Sequence, residues 1–252
     1  MRMRTIVLAA CGSFALAASA EAALIAYDGF DGSSESNGGT GWTADWTVGL
    51  SSASNMTNGD LVTSGAGAMV RPYWDGQATR SISAPVSGTV WFSWIQDISN
   101  QSALQQIRLR DGNSSIAYVG FHAEADPKTF KIYAGDDDPK VDTTISTLGK
   151  RFVAGSIDIT NGVLTLYIDP TGLGIGTAPS GAAGTATWNK GSAFSGFTGF
   201  ESVAVAVFNW DEVRVGTTWA DVSTVIPEPS TLASVGLVAG MLMRRRIRSK
   251  SV

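Results

Sequence analysis

The chain has 252 residues, with 18 Lys and Arg against 22 Asp and Glu, one His and one Cys. Two basic residues fall in the first four positions and five after Met243, so Glu21 to Met243 holds 22 acidic and 11 basic residues, a net charge near −11. That acidity works against nucleic acid and anionic membranes as partners, and it is compatible with divalent cations and neutral polysaccharide.

Met1-Arg2-Met3-Arg4 is a basic start, Thr5 to Ala17 is apolar, and Ala18-Ser19-Ala20 is a small-x-small cleavage site before Glu21. Residues 1–20 are therefore read as a secretory signal peptide. Leu8-Ala9-Ala10-Cys11 also resembles a bacterial lipobox, which would lipidate Cys11. Too few apolar residues precede Cys11 for that, and the apolar run continues past it. Cleavage after Ala20 removes the only cysteine, and with it any disulfide, thiol nucleophile or cysteine-bound zinc.

Residues 21–225 are long enough for one domain with a substantial core. Gly is abundant at 29 residues, and turn residues punctuate short apolar runs. Leu24–Asp31 reads as a first strand, followed by a Gly/Ser/Asn surface loop leading to Trp42 and Trp46. Only weak strands are expected over 47–69, around Leu61 and Met69. Thr79–Ala84 and Val90–Ile98 are stronger; the second is apolar on both faces, as in a central strand of a layered sheet. Over Leu104–Arg110, Ile107 and Leu109 face one way, and Gln106, Arg108 and Arg110 the other. Asp111-Gly112-Asn113 turns the chain into Ser115–His122. Phe130, Ile132 and Ala134 alternate before the acidic loop Asp136-Asp137-Asp138.

Val153–Thr160, Asn161-Gly162 and Val163–Asp169 form the clearest hairpin signal, with both turn residues expected at φ > 0. Leu164, Leu166 and Ile168 should point inward. Residues 170–190 read as a long Gly/Ala/Thr/Pro loop, and Ser202–Phe208 and Asp211–Val215 as the last strands. No stretch shows helical periodicity. The fold class is all-β, a two-sheet antiparallel sandwich.

The chain ends in Pro227-Glu228-Pro229, an apolar run from Leu232 to Met243 and the cluster Arg244-Arg245-Arg246. Twelve apolar residues fall short of the roughly 20 that span a bilayer comfortably, and a basic tip after them fits the positive-inside rule. Residues 226–249 resemble the PEP-CTERM sorting signal of Gram-negative bacteria that make exopolysaccharide. The resemblance implies a short C-terminal hydrophobic helix held transiently in the inner membrane. It also implies processing near Pro227–Pro229 by an exosortase and delivery to the cell surface or extracellular matrix.

Asn161-Gly-Val-Leu-Thr-Leu-Tyr-Ile-Asp169 and Trp210-Asp-Glu-Val-Arg-Val215 are similar to the hairpin and closing strand of the concanavalin A-like jelly roll, in its laminin-G-like branch. That resemblance implies a jelly-roll sandwich. On related folds a structural Ca²⁺ ties the first strand to the closing one, which would make Asp211, with Asp28 or Asp31, ligands. Glucanases of this fold carry paired carboxylates on one strand. No such string occurs here; Asp211 and Glu212 are adjacent and expected on opposite faces, and His122 has no nucleophile elbow. No catalytic residue is assigned.

Of eight Trp, Trp91 and Trp94 belong to the core. Trp42, Trp46, Trp74 and Trp188 lie in polar stretches, where glycan contact competes with burial beneath a loop. The leading expectation is a non-enzymatic exported protein associated with exopolysaccharide. The alternatives are a lectin-like module, with or without Ca²⁺, and a glycoside hydrolase.

Overall fold

A computed structural model describes residues 24–30, 39–47, 51–54, 56, 63, 67–71, 77–99, 105–121, 128–134, 139–174, 177–204 and 208–223. Residues 1–20 and 226–249, and with them the expected signal peptide and sorting signal, lie outside the described residues. So do Asp31, Trp74, His122 and Asp136–Asp138. No described helix is long and apolar enough to cross a membrane.

In chain order the strands begin with β1 (Leu24–Asp28), β2 (Ser51–Ser54), β3 (Gly67–Arg71), β4 (Gln77–Val86) and β5 (Thr89–Ile98). Next come β6 (Gln105–Asp111), β7 (Ser114–Phe121), β8 (Thr129–Tyr133), β9 (Pro139–Ser146) and β10 (Gly149–Asp158). The last are β11 (Val163–Thr171), β12 (Gly181–Asn189), β13 (Phe197–Ala204) and β14 (Phe208–Gly216), before α1 (Trp219–Ser223). They form an antiparallel sandwich. One sheet has eight strands in the order β12-β11-β10-β5-β14-β3-β2, with β1 also on β14; the other has six, β4-β13-β6-β7-β8-β9.

β5 is central, between β10 and β14. Val90, Phe92, Trp94 and Ile98 enter the core between the sheets. Trp91 and Ile95 join Phe152, Ala154, Trp219, Val222 and Met56 in a second cluster on the outer side of the eight-stranded sheet. A strand apolar on both faces thus has an apolar layer on each. α1 is that outer layer's lid: Thr218 N–H donates to Asp221 Oδ2 at 2.7 Å, an N-terminal cap, and Ser93 Oγ donates to Val222 O. A single capped turn is too short to show periodicity, which is why the sequence reads as helix-free.

In the β10–β11 hairpin Leu164, Leu166 and Ile168 are fully buried, as expected. The turn differs from expectation. Asp158 pairs with Val163, so the loop is four residues, and of Asn161 and Gly162 only Gly162 has positive φ, at 67°. Ile159 is drawn into the core, and both oxygens of Asp158 accept from Asn161, holding the Asp158 carboxyl below its usual range.

The expected long loop at 170–190 is largely strand, since β11 runs to Thr171 and β12 pairs with it from Gly181. β12 escapes pattern reading because its inward residues Gly184 and Ala186 are small. They are small because the sheets converge there: a Cβ at Gly184 would lie 2.3 Å from Ile145 Cγ1 and 3.0 Å from Thr143 O on β9. Along the opposite edge, residues 39–47 form a strap over both sheets. Tyr27 and Thr40 exchange backbone hydrogen bonds, while Thr43 N and Thr47 N donate to Ser81 O and Thr79 O on β4. Gly39 and Gly41 permit this approach, since a Cβ on either would sit 1.9 Å from a β1 carbonyl oxygen.

β14 carries a bulge. Its register against β5 shifts between Asp211 and Arg214, and Glu212 has φ 55°. This breaks the alternation expected to set Asp211 and Glu212 on opposite faces. Both instead find partners outside the core.

Candidate functional site

The strap carries two of the four candidate tryptophans. Trp46 is only 6% exposed, its ring 4.7 Å from that of Trp210 and 6.4 Å from Phe30. Its indole N–H donates to Asp28 Oδ2 at 3.1 Å. Of the two readings open to it, Trp46 takes burial, inside the sandwich core. Trp42 is half-buried; its indole N–H donates to Tyr27 O at 2.9 Å, and the Arg80 guanidinium lies 4.9 Å from its ring. Both help to fasten the strap.

Two of the three expected metal ligands, Asp28 and Asp211, do not converge; the third, Asp31, lies outside the described residues. Asp28 is fully buried on the core side of β1, and its carboxylate takes Arg80, Trp46 and the Phe30 N–H. Burial pushes its pKa up to about 6, against the pull of Arg80 and the two other donors. Asp211 lies on the other side of the sheet, accepting from Glu212 N at 2.8 Å and Met56 N at 3.3 Å. Glu212 is buried, pairs with Arg214 and accepts from Tyr27 OH at 3.2 Å. Among the described residues no three of His, Cys, Asp and Glu are grouped to hold a metal ion.

Trp188 is different. It stands one residue before the end of β12, half-buried, and lines a cleft of about 350 Å³ with Asp111, Ser115, Lys190, Phe194 and Ser195. The cleft forms where the β6–β7 hairpin of one sheet meets the end of β12 and the following segment of the other. Trp188 and Phe194 rings stand 5.8 Å apart at 54°, an apolar wall continuous with the core. The polar part of the lining is Asp111, Ser114, Ser115 and Ser195, with Lys190 Nζ 5.3 Å from the Phe194 ring and donating to Ala193 O. Among the described residues no donor reaches the Asp111 carboxylate.

Local structure fixes both halves of the cleft. Gly112, at φ 56°, turns the two-residue hairpin, and its N–H donates to Thr198 Oγ1 at 2.7 Å. On the other side Lys190 N donates to Gly162 O and Phe194 N to Ile159 O, both at 2.9 Å, so the β10–β11 turn carries the 190–194 segment. A Cβ at Gly162 would meet Ser192 O at 1.8 Å. Sequence reasoning names Trp188 but misses Asp111, Lys190 and Phe194. The only signal for them is the turn chemistry at Asp111-Gly112 and Lys190-Gly191.

No family model matches the chain, and no curated protein matches it. Among solved structures it is similar to lectin II from Ulex europaeus at 12% identity and TM-score 0.43, covering 61% of this chain and 88% of that one. It is also similar to the carbohydrate binding module CBM66 from Bacillus subtilis, at 14% identity and TM-score 0.42, over 70% and 96% of the two chains. A third is the cellulose induced protein Cip1, at 13% identity and TM-score 0.45, over 76% and 97%.

Proposed function

We propose that this protein is an exported, non-enzymatic carbohydrate-binding β-sandwich whose sugar site is the cleft at Trp188. The observation that carries this reading is the cleft's two-sided chemistry. An aromatic wall offers the apolar face that a pyranose ring stacks on, and Asp111, Lys190 and the serines offer acceptors and donors for its hydroxyls. Among the described residues Asp111 is an acceptor without an internal donor, which suits recognition of a hydroxyl pair.

Delivery belongs to the same proposal. Residues 1–20 direct export, and residues 226–249 act as a PEP-type sorting signal that holds the protein briefly at the inner membrane until an exosortase cleaves near Pro227–Pro229. The acidic domain is then released to the cell envelope or the exopolysaccharide matrix.

A glycan array probed with the purified protein and with Trp188→Ala tests the binding half. Capture of one class of neutral glycan by the parent, lost in the variant, is the expected result. Equal capture by both would remove the cleft from consideration. For the sorting half, changing Pro227-Glu228-Pro229 to alanines should leave an unprocessed, membrane-retained protein, and normal processing of that variant would refute it.

A further inference from the structure

The Trp188 cleft carries more apolar surface than one face of a sugar ring uses. Trp188 and Phe194 line it from the β12 side, and Ile116 and Ala134 line it from β7 and the end of β8. A bulge puts Ile116 there. Leu109 pairs with Ala117 and Arg110 with Ser115, so Ile116 is the extra residue of β7. Ala117 and Val119 lie in the core, and strict alternation from them would turn Ile116 to the outer face of its sheet. Ile116 instead packs against the core cluster and lines the cleft.

The polar groups beside this patch include one open acceptor and one open donor. Asp111 and Ser115 belong to the same hairpin, one ladder step apart. Asp111 brings a carboxylate that no donor reaches among the described residues. Ser115 Oγ accepts from Arg110 Nη1 at 3.3 Å, and among the described residues its own hydroxyl hydrogen has no acceptor. At about 350 Å³ the cleft is at the small end of ligand sites, which suits one sugar residue with its substituent and not a length of chain.

We propose that the residue this cleft takes is an N-acetylhexosamine, its ring on Trp188 and its acetamido group toward Ile116, an inference that rests on reading the cleft as a sugar site. An acetamido group has an N–H to donate, a carbonyl to accept and a methyl to bury. Asp111, Ser115 and the Ile116–Ala134 patch offer the counterpart of each. A plain hexose sets hydroxyls against the apolar patch. A 6-deoxyhexose brings a methyl without the amide. A protonated amino sugar answers Asp111 and leaves the patch bare, and a uronate is repelled by Asp111.

NMR titration with N-acetylglucosamine, N-acetylgalactosamine, glucose, galactose, glucosamine and fucose tests this on the parent, Ile116→Thr and Trp188→Ala proteins. One acetamido sugar should bind the parent at least about tenfold more tightly than its own hexose, the equivalent of one buried methyl with its amide hydrogen bonds. Ile116→Thr should bring that ratio close to one. Because the ratio is taken within a single protein, a folding defect, which weakens both sugars alike, cannot mimic the loss. Trp188→Ala should bind neither sugar. If glucose, galactose, glucosamine or fucose binds as tightly and is lost in Trp188→Ala, the cleft remains a sugar site and the acetamido inference is overturned. The same holds if Ile116→Thr keeps the ratio. Binding that survives Trp188→Ala overturns the inference and the cleft reading together. Binding of none of the six overturns the inference, and the glycan array then decides the cleft.

Discussion

Asp28, on the first strand of the eight-stranded sheet, and Arg80, on an edge strand of the six-stranded sheet, form an ion pair that crosses the edge of the sandwich beneath the 39–47 strap. Both are buried, at 0% and 5% exposure. Arg80 Nε also donates to Ala44 O at 3.0 Å, so one guanidinium joins both sheets and the strap. Arg80→Met should therefore cost about 3–5 kcal/mol at neutral pH, because it leaves a carboxylate buried without its cation. Urea unfolding followed by tryptophan fluorescence reads this, and a cost under about 1 kcal/mol would show that the pair does not bear on stability.

The same carboxyl sets a pH dependence. Burial raises Asp28 from 3.8 to about 6, so between those values the folded state holds a proton that the unfolded state has released. The associated stability is fully present below pH 4 and lost as pH rises through 6. Its size is about 3 kcal/mol, because each tenfold gain in proton affinity on folding is worth about 1.36 kcal/mol. Since other carboxylates titrate nearby, the measurement is the difference in unfolding free energy between the parent and Asp28→Asn, taken at several pH values from 4 to 7. A difference that does not change across that range contradicts the raised pKa.

Trp46 and Trp188, alike in their polar sequence surroundings, should separate cleanly. Trp46→Ala empties a core position against Trp210 and Phe30 and should cost about 3–5 kcal/mol. Trp188→Ala, at a half-buried strand end, should cost clearly less while removing glycan capture. Thermal melts alongside the array distinguish these outcomes.

Asp221→Ala removes the acceptor for Thr217 N and Thr218 N at the start of α1 and should cost about 1 kcal/mol. The loss should appear as faster amide exchange around Trp219 and Val222, which cover Trp91 and Ile95.

Where side chains are large and alternate, the sequence describes the fold well. Val90–Ile98 is two-faced because it has two apolar layers to fill, and Leu164, Leu166 and Ile168 line one of them. Where contact is made by backbone, the pattern fades. β12 meets β9 through Gly184 and Ala186, and the strap lies on β1 through Gly39 and Gly41, so neither leaves an apolar period to read. Trp46 is ambiguous in sequence for a related reason, since its neighbours are polar and its partners Trp210 and Asp28 are distant in the chain. The cleft is the least legible part. Asp111 and Trp188 come from different sheets, and only the assembled sandwich brings them to one rim.

The strap on one long edge and the glycine-to-isoleucine contact on the other have a joint mechanical effect. Two stacked sheets held on one side only can shear past each other, widening or narrowing the gap at their ends. Fastened along both sides, they make a frame of fixed aperture. The rim where Trp188 and Asp111 face each other is then set before any ligand arrives, and a sugar entering it should meet no closing step and little ordering cost.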